Sequence, residues 1–138
     1  METSTAVAIS PALKLVQQAY TDFANGNIPG IIDACADDVA FGTFSNPYIH
    51  PSGYFYGKEG AIEFFKQVDA NYNITLFEPQ EFITQGDRVM VLGRQTATVK
   101  QTGKTIDHKW CMSFTVLNGK IKDFFEFGDS YLIAQAFQ

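Results

Sequence analysis

Positive charge is scarce in this 138-residue chain, and it is nowhere gathered. Ten Lys and Arg lie scattered from Lys14 to Lys122 against fifteen Asp and Glu, for a formal net charge of −5. No basic stripe exists to neutralise phosphates, which argues against nucleic acid as a partner. Long apolar runs are missing too. None approaches the roughly 18 residues of a membrane-crossing helix, so no membrane partner is expected. The opening METSTAVAIS lacks the positive flank and apolar centre of a signal peptide. Cysteine is limited to Cys35 and Cys111, and with two histidines they offer no metal-ligand spacing. No zinc site is expected, nor any other metal or organic cofactor. Both thiols have apolar neighbours, and buried free cysteines fit a reducing, cytoplasmic setting.

Apolar mass is what the chain does have. Hydrophobic residues make up 46% and charged residues 18%, which places it among folded globular proteins. Aromatics reach 14%, thirteen of them Phe, enough for a core plus an apolar cavity or a subunit interface. Residues 1–9 are expected to be a flexible tail and residues 10–138 a single domain.

Periodicity divides that domain in two. A helix is predicted from Ser10-Pro11, with Ser as cap, to Asn25-Gly26; Leu13, Val16, Ala19, Tyr20 and Phe23 recur along it at three- and four-residue spacing. A short helix over Ile28 to Cys35 comes next, with Asp37-Asp38 as solvated capping residues, and then a strand at Val39 to Phe41. Residues 42–57 hold three glycines, two prolines and several aromatics, and read as an ordered irregular loop. Lys58 to Tyr72 reads as a helix with Ile62, Phe65 and Val68-Asp69 on one face. From Ile74 the period becomes two. Strands are predicted at 74–85, 88–100, 105–117 and 120–128, divided by Gly86-Asp87, Thr102-Gly103 and Asn118-Gly119, with a helical turn at Tyr131 to Phe137. Helices segregated from an antiparallel meander make an α+β fold.

Two registers are open to the last hairpin. A two-residue Asn118-Gly119 turn pairs Leu117 with Lys120 and sets Glu126 opposite Cys111. A three-residue loop with Gly119 in a bulge pairs Val116 with Lys120, Trp110 with Glu126 and Met112 with Phe124. The apolar set Trp110, Met112, Phe114 and Val116 favours the bulge. Lys109, Cys111, Ser113, Thr115, Phe125 and Phe127 would then form the other face.

The segments VQQAYTDFANGNIPGIIDACADDVAF, YGKEGAIEFF, QGDRVMVLGR and NGKIKDFFEFGD, in this order and spacing, resemble the SnoaL-like, ketosteroid-isomerase-like family of the nuclear transport factor-like superfamily. The resemblance runs from about Ala12 to Ala136. It implies a conical barrel, with a strongly bent, mostly antiparallel sheet wrapped around a long N-terminal helix and two further helices. It also implies an apolar pocket and a homodimer through the outer sheet face. Relatives include isomerases, polyketide cyclases, dehydratases, epoxide hydrolases and non-catalytic scaffolds, so the fold alone does not choose a function.

Glu126 is the leading catalytic candidate. Desolvation between Phe124 and Phe127 would raise its pKa into the range of a usable general acid or base. Its position also matches an acid of epoxide-hydrolase-like relatives, in the pattern aromatic-x-acid-aromatic-x-Asp. His108 near the pocket mouth is the second catalytic candidate, able to exchange a proton with Glu126 or a ligand oxygen. Trp110, Met112 and Phe124 are read as substrate-binding walls. Only one of Arg94 and Gln95 can face inward; Gly86-Asp87 favours Gln95, and an adjustment at Thr102-Gly103 would favour Arg94 and an anionic ligand. Tyr48, His50, Tyr54 and Tyr56 would lid the pocket, with Tyr54 as the expected ligand contact.

Departures from the relatives narrow the chemistry. Where ketosteroid isomerases carry a first-helix tyrosine, a base aspartate after the first strand and a protonated aspartate in the sheet, this chain has Ala19, Thr43 and Trp110. The arginine and aspartate positions of epoxide hydrolases correspond to Gly93 and Gln95, and only Glu126 survives. The expectation is a protein binding a small, mostly apolar molecule, able to act as an isomerase, cyclase, dehydratase or hydrolase through one carboxylate. The rival is a non-catalytic ligand-binding or scaffold dimer. Cavity volume separates them, with about 300 Å³ as the lower end for small-molecule sites.

Overall fold

Ser10 opens the first helix as its residue type requires: its hydroxyl accepts the Leu13 N–H at 3.1 Å, and Pro11 occupies the first turn. The structure, a computed structural model, describes residues 10–138, so the tail expected at 1–9 lies outside the described residues. Helix α1 spans Pro11–Ala24 and stops at Asn25 and the left-handed Gly26 (φ 71°). Helix α2 is shorter than expected, Ile28–Asp33, because Cys35 already belongs to strand β1, Cys35–Gly42. Asp37 and Asp38 therefore sit on a strand instead of capping a helix, and Asp38 pairs with Lys122.

The loop 42–57 contains a strand the sequence hid, β2 at Tyr54–Tyr56, paired antiparallel with β1. Helix α3 runs Gly57–Asn71 and buries Ala61 and Phe64, with Phe65 and Val68 half-buried. Ile62, expected on the inner face, is exposed. Strands β3 Tyr72–Gln85, β4 Arg88–Val99, β5 Thr105–Leu117 and β6 Lys120–Gly128 match the predicted meander closely. The closing turn is a full helix, α4 at Ser130–Ala136, capped by Asp129, so three helices come after α1 and not two.

The six strands form one sheet in the order β2-β1-β6-β5-β4-β3, with a parallel β1–β6 ladder and antiparallel pairs elsewhere. Bulges interrupt β3 near Thr75 and near Pro79-Gln80, where the edge position tolerates a proline, and such bulges bend a sheet. The curved sheet wraps α1 and leaves β2 and β3 as free edges, so it does not close into a barrel. On β4 and β5 Val89, Val91, Gly93, Gln95, Ala97 and Val99 face inward against Ile106, His108, Trp110, Met112, Phe114 and Val116, and burial follows that alternation except at Ser113, which is also buried. Gln95 is thus the inward residue, and Arg94 lies outside, 3.7 Å from Glu78.

The last hairpin adopts neither register considered from sequence. Asn118 and Gly119 form a two-residue turn with positive φ (52° and 73°), pairing Leu117 with Lys120 and Val116 with Ile121. The next pair is Thr115 with Asp123, so Lys122 is an extra residue in β6. Beyond it Phe114 faces Phe124, Met112 faces Glu126, and Trp110 faces Gly128. The bulge exists, but two residue pairs past the turn. It restores the inward face expected for Phe124 and Glu126 while shifting their partners by two residues.

Gly93 marks a tight point in this sheet. A Cβ there would clash with the Glu78 carbonyl and with the indole of Trp110, which is buried over it. Gly93→Ala is therefore expected to cost about 1–3 kcal/mol, as overpacking does. A urea midpoint equal to that of the unmodified protein would mean that Trp110 does not cover Gly93.

Candidate functional site

Glu126 projects from β6 into an almost wholly apolar chamber. Its wall comes from the inward faces of α1, α3, β1 and the meander, with Phe41, Phe64, Phe114 and Phe124 among the rings. The carboxylate has one hydrogen-bond partner, the Thr43 hydroxyl, which donates to Oε1 at 3.0 Å. Burial pushes the Glu126 pKa up to about 7, and the Thr43 bond pulls only weakly the other way. The side chain keeps part of its surface, and it is the chamber that it lines.

Three further polar groups line the same space. Gln95 reaches in from β4, Tyr20 from α1, and Tyr72 from the start of β3. The Tyr20 hydroxyl donates to the Met112 sulfur at 3.1 Å, a weak acceptor that leaves the O–H easily recruited by a better one. Burial raises the pKa of both tyrosines well above the usual range, with the Glu126 charge adding to it. Both hydroxyls are therefore neutral donors at any working pH.

The expected site residues divide by position. Glu126, Gln95, Met112 and Phe124 line the chamber. Trp110 stands one layer behind, stacked on Phe77 and Tyr20 with ring centroids 5.0 and 6.1 Å away. His108 is also behind the wall. Its Nδ1 meets the Lys109 carbonyl at 3.1 Å, which only a protonated nitrogen can do, so Nε2 accepts from the Gln95 amide at 3.1 Å. Burial lowers its pKa and keeps the ring neutral. Both nitrogens are occupied, and His108 holds Gln95 by its amide nitrogen.

Tyr54 does not reach the chamber. The pleat of β2 turns it outward over Gly42, where its ring leans on Phe125, and it is 57% exposed. Tyr48 and Tyr56 are exposed as well, and His50 packs edge-on against Phe137. The loop contributes Phe44 and Pro51 to the wall instead.

Sequence reasoning passed over Thr43, Tyr20 and Tyr72. Tyr20 sat in the apolar stripe of the first helix, where a hydroxyl at the ring's far end leaves no trace in periodicity. Thr43 and Tyr72 stand at element ends, where pattern does not say which way a side chain points.

The chamber itself is small, about 90 Å³. That is below the roughly 300 Å³ at which ordinary small-molecule sites begin. A second, open cleft of about 780 Å³ adjoins it, between the end of α1, α3 and β3. Among the described residues no group of three or more His, Cys, Asp and Glu could hold a metal ion, and no helix is long and apolar enough to cross a membrane.

The family model for the SnoaL-like domain matches residues 16–124. Among solved structures, the chain is similar to an NTF2-like protein of unknown function from Burkholderia pseudomallei. Identity is 24% over 94% of this chain and 99% of that one, with a TM-score of 0.83. It is similar to TerC, co-crystallised with polyporic acid, at 25% identity over 93% of this chain and 98% of that one, TM-score 0.82. A candidate SnoaL-like polyketide cyclase from Mesorhizobium loti is 20% identical over 86% of this chain and 99% of that one, TM-score 0.72. No curated protein sequence matches significantly.

A carboxyl with a folded pKa near 7 and an ordinary value of 4.5 makes stability depend on pH. The protonated form favours folding below pH 4.5, and that advantage is lost as pH rises toward 7, in total about 3 kcal/mol. Glu126→Gln, which keeps an acceptor for Thr43, is expected to gain about that much relative to the unmodified protein between pH 4.5 and 8. Urea unfolding at the two pH values measures it, and a difference that does not change with pH would contradict the buried acid.

Proposed function

The chain belongs to the SnoaL-like domain family, and we propose that within it this protein binds a mostly apolar small molecule and moves a proton on it with Glu126. The observation that carries this reading is a carboxylate desolvated among phenylalanine rings and, among the described residues, hydrogen-bonded only to Thr43. A group titrating near 7 is divided between acid and base at neutral pH, where either role runs best.

The resemblance supports the same chemistry by an altered route. Thr43 stands where ketosteroid isomerases carry their base aspartate, and Glu126 brings a carboxylate to 3.0 Å from it out of a different strand. Ala19 stands where their first-helix tyrosine would be, and Tyr20 beside it delivers a hydroxyl to the chamber. In this mechanism the Glu126 carboxylate removes a proton from the substrate's carbon or from a water. The neutral Tyr20 and Tyr72 hydroxyls donate to the oxygen on which charge develops; the protonated Glu126 returns the proton to the substrate or its leaving group, completing an isomerisation, cyclisation or dehydration, or a hydrolysis where the hydroxide from the deprotonated water has added to the substrate. His108 is a positioning residue: by taking one amide hydrogen of Gln95 it leaves the Gln95 oxygen to meet a donor on the ligand. Met112 and Phe124 form the wall, and Trp110 backs the rings that do.

One observation favours the second reading, a non-catalytic binding or scaffold protein: the chamber of about 90 Å³ is below the roughly 300 Å³ of ordinary small-molecule sites. A carbon-13 titration of the Glu126 carboxyl tests the acid/base reading. The acid/base reading expects an apparent pKa near 7, and an ordinary glutamate value would reject it.

We also assign a homodimer contact to the outer sheet face, where Phe125, Phe127 and Tyr54 pack together in the open. Phe127→Glu is expected to convert the dimer to a monomer in sedimentation equilibrium. A unit of one chain before substitution would rule the contact out.

A further inference from the structure

The chamber around Glu126 shares a wall with the outer cleft. Phe23, Phe65, Val68, Tyr72, Ile74 and Phe77 line both spaces. Their sizes are unequal. About 90 Å³ holds roughly three waters at ~30 Å³ each, whereas about 780 Å³ lies well inside the range of ligand sites. A substrate of ordinary size cannot sit wholly beside Glu126. Its body must lie in the cleft, with only the reacting end passed inward.

The cleft also differs in charge from the rest of the molecule. The chain has a net charge of −5, but the cleft lining carries Lys66 and Lys100 against a single acid, Asp69. Both lysines lie at the α3 side of the cleft. Lys66 lies one turn before Asp69, and the Lys100 ammonium donates to the Asp69 backbone carbonyl at 2.7 Å. Most of the remaining lining is apolar, with Ile62, Phe65 and Leu76 among it.

Resting on the proton-transfer reading, we propose that the substrate is an elongated amphiphile. An apolar chain lies along the cleft, an anionic group such as a carboxylate sits at Lys66 and Lys100, and the opposite end reaches Glu126. The cleft is thus the antechamber of the site, and its two lysines set specificity for a negative tail. Neither lysine touches the reacting atoms.

Decanoate and decanol test this as a matched pair. The chain has a single tryptophan, and Trp110 stacks on Phe77, which lines both spaces, so its emission reports occupancy. Decanoate is expected to bind saturably and about five- to tenfold more tightly than decanol, the scale of two exposed charge contacts. The double variant Lys66→Glu with Lys100→Glu should abolish that preference, read as the ratio of decanoate to decanol affinity. Ala24→Phe, at an exposed position in the cleft wall, should weaken both probes by at least about tenfold if it fills the space they need. Equal affinity for the two probes, or a preference that survives the double variant, overturns the anionic tail. Unaltered binding in Ala24→Phe overturns the cleft as antechamber. If neither probe moves Trp110 emission while Glu126 titrates near 7, this substrate class is wrong and the proton-transfer reading stands. An ordinary Glu126 titration removes that reading itself.

Discussion

Between the Val116–Ile121 and Thr115–Asp123 pairs, β6 spends two residues where β5 spends one, and the content of the cavity depends on that difference. Side chains alternate along a strand, so one unpaired residue exchanges the two faces of everything beyond it. Near the turn it is odd-numbered Ile121 that points inward and is fully buried. After Lys122 it is the even-numbered Phe124 and Glu126. The extra residue is held on the outside, where its ammonium pairs with Asp38 on β1, and that contact lowers the Asp38 pKa. Without the bulge, Glu126 would face outward with Phe125 and Phe127, and the chamber would have no carboxylate.

An inward Glu126 has electrostatic consequences. Rings surround it, Thr43 offers a single hydrogen bond, and no cation approaches its carboxylate closely enough to form a salt bridge among the described residues. Desolvation therefore outweighs the one favourable contact, and the acid is poised near neutrality at the expense of stability. The same dryness keeps Tyr20 and Tyr72 protonated as donors and His108 neutral behind Gln95. One set of apolar walls thus assigns each polar group its protonation state.

Much of the architecture was legible in the sequence because burial period and local geometry agree there. The stripe from Leu13 to Phe23, the Ser10 cap and the Gly26 stop define α1 with little tertiary help. The alternation on β4 and β5 puts His108, Trp110 and Met112 on one face in advance, while the choice between Arg94 and Gln95 was only favoured and waited on the ladder register. Where elements are short or change character the signal fails. Tyr54–Tyr56 pairs with β1 through only three residues, and in an aromatic-rich loop it carries no readable alternation. In α3, Ile62 and Phe65 suggested one face, while the helix actually turns Ala61 and Phe64 to the core and leaves Ile62 to the outer cleft.

The α+β order, the meander and the apolar interior came from the amino-acid sequence alone, since each rests on local period or residue type, and the choice of Glu126 joined residue type to the family resemblance. It took the folded chain to establish that Glu126 meets Thr43, that His108 stands behind Gln95, that Tyr54 faces outward, and that the chamber is small and shares a wall with a larger cleft. Those facts depend on register and on distances between elements far apart in the chain. Register turned on one unpaired residue, Lys122, whose place in the ladder is set by the Asn118-Gly119 turn, the parallel pairing with β1 and the packing of Ile121 and Phe124 acting together. No window of the sequence contains all of those contacts at once.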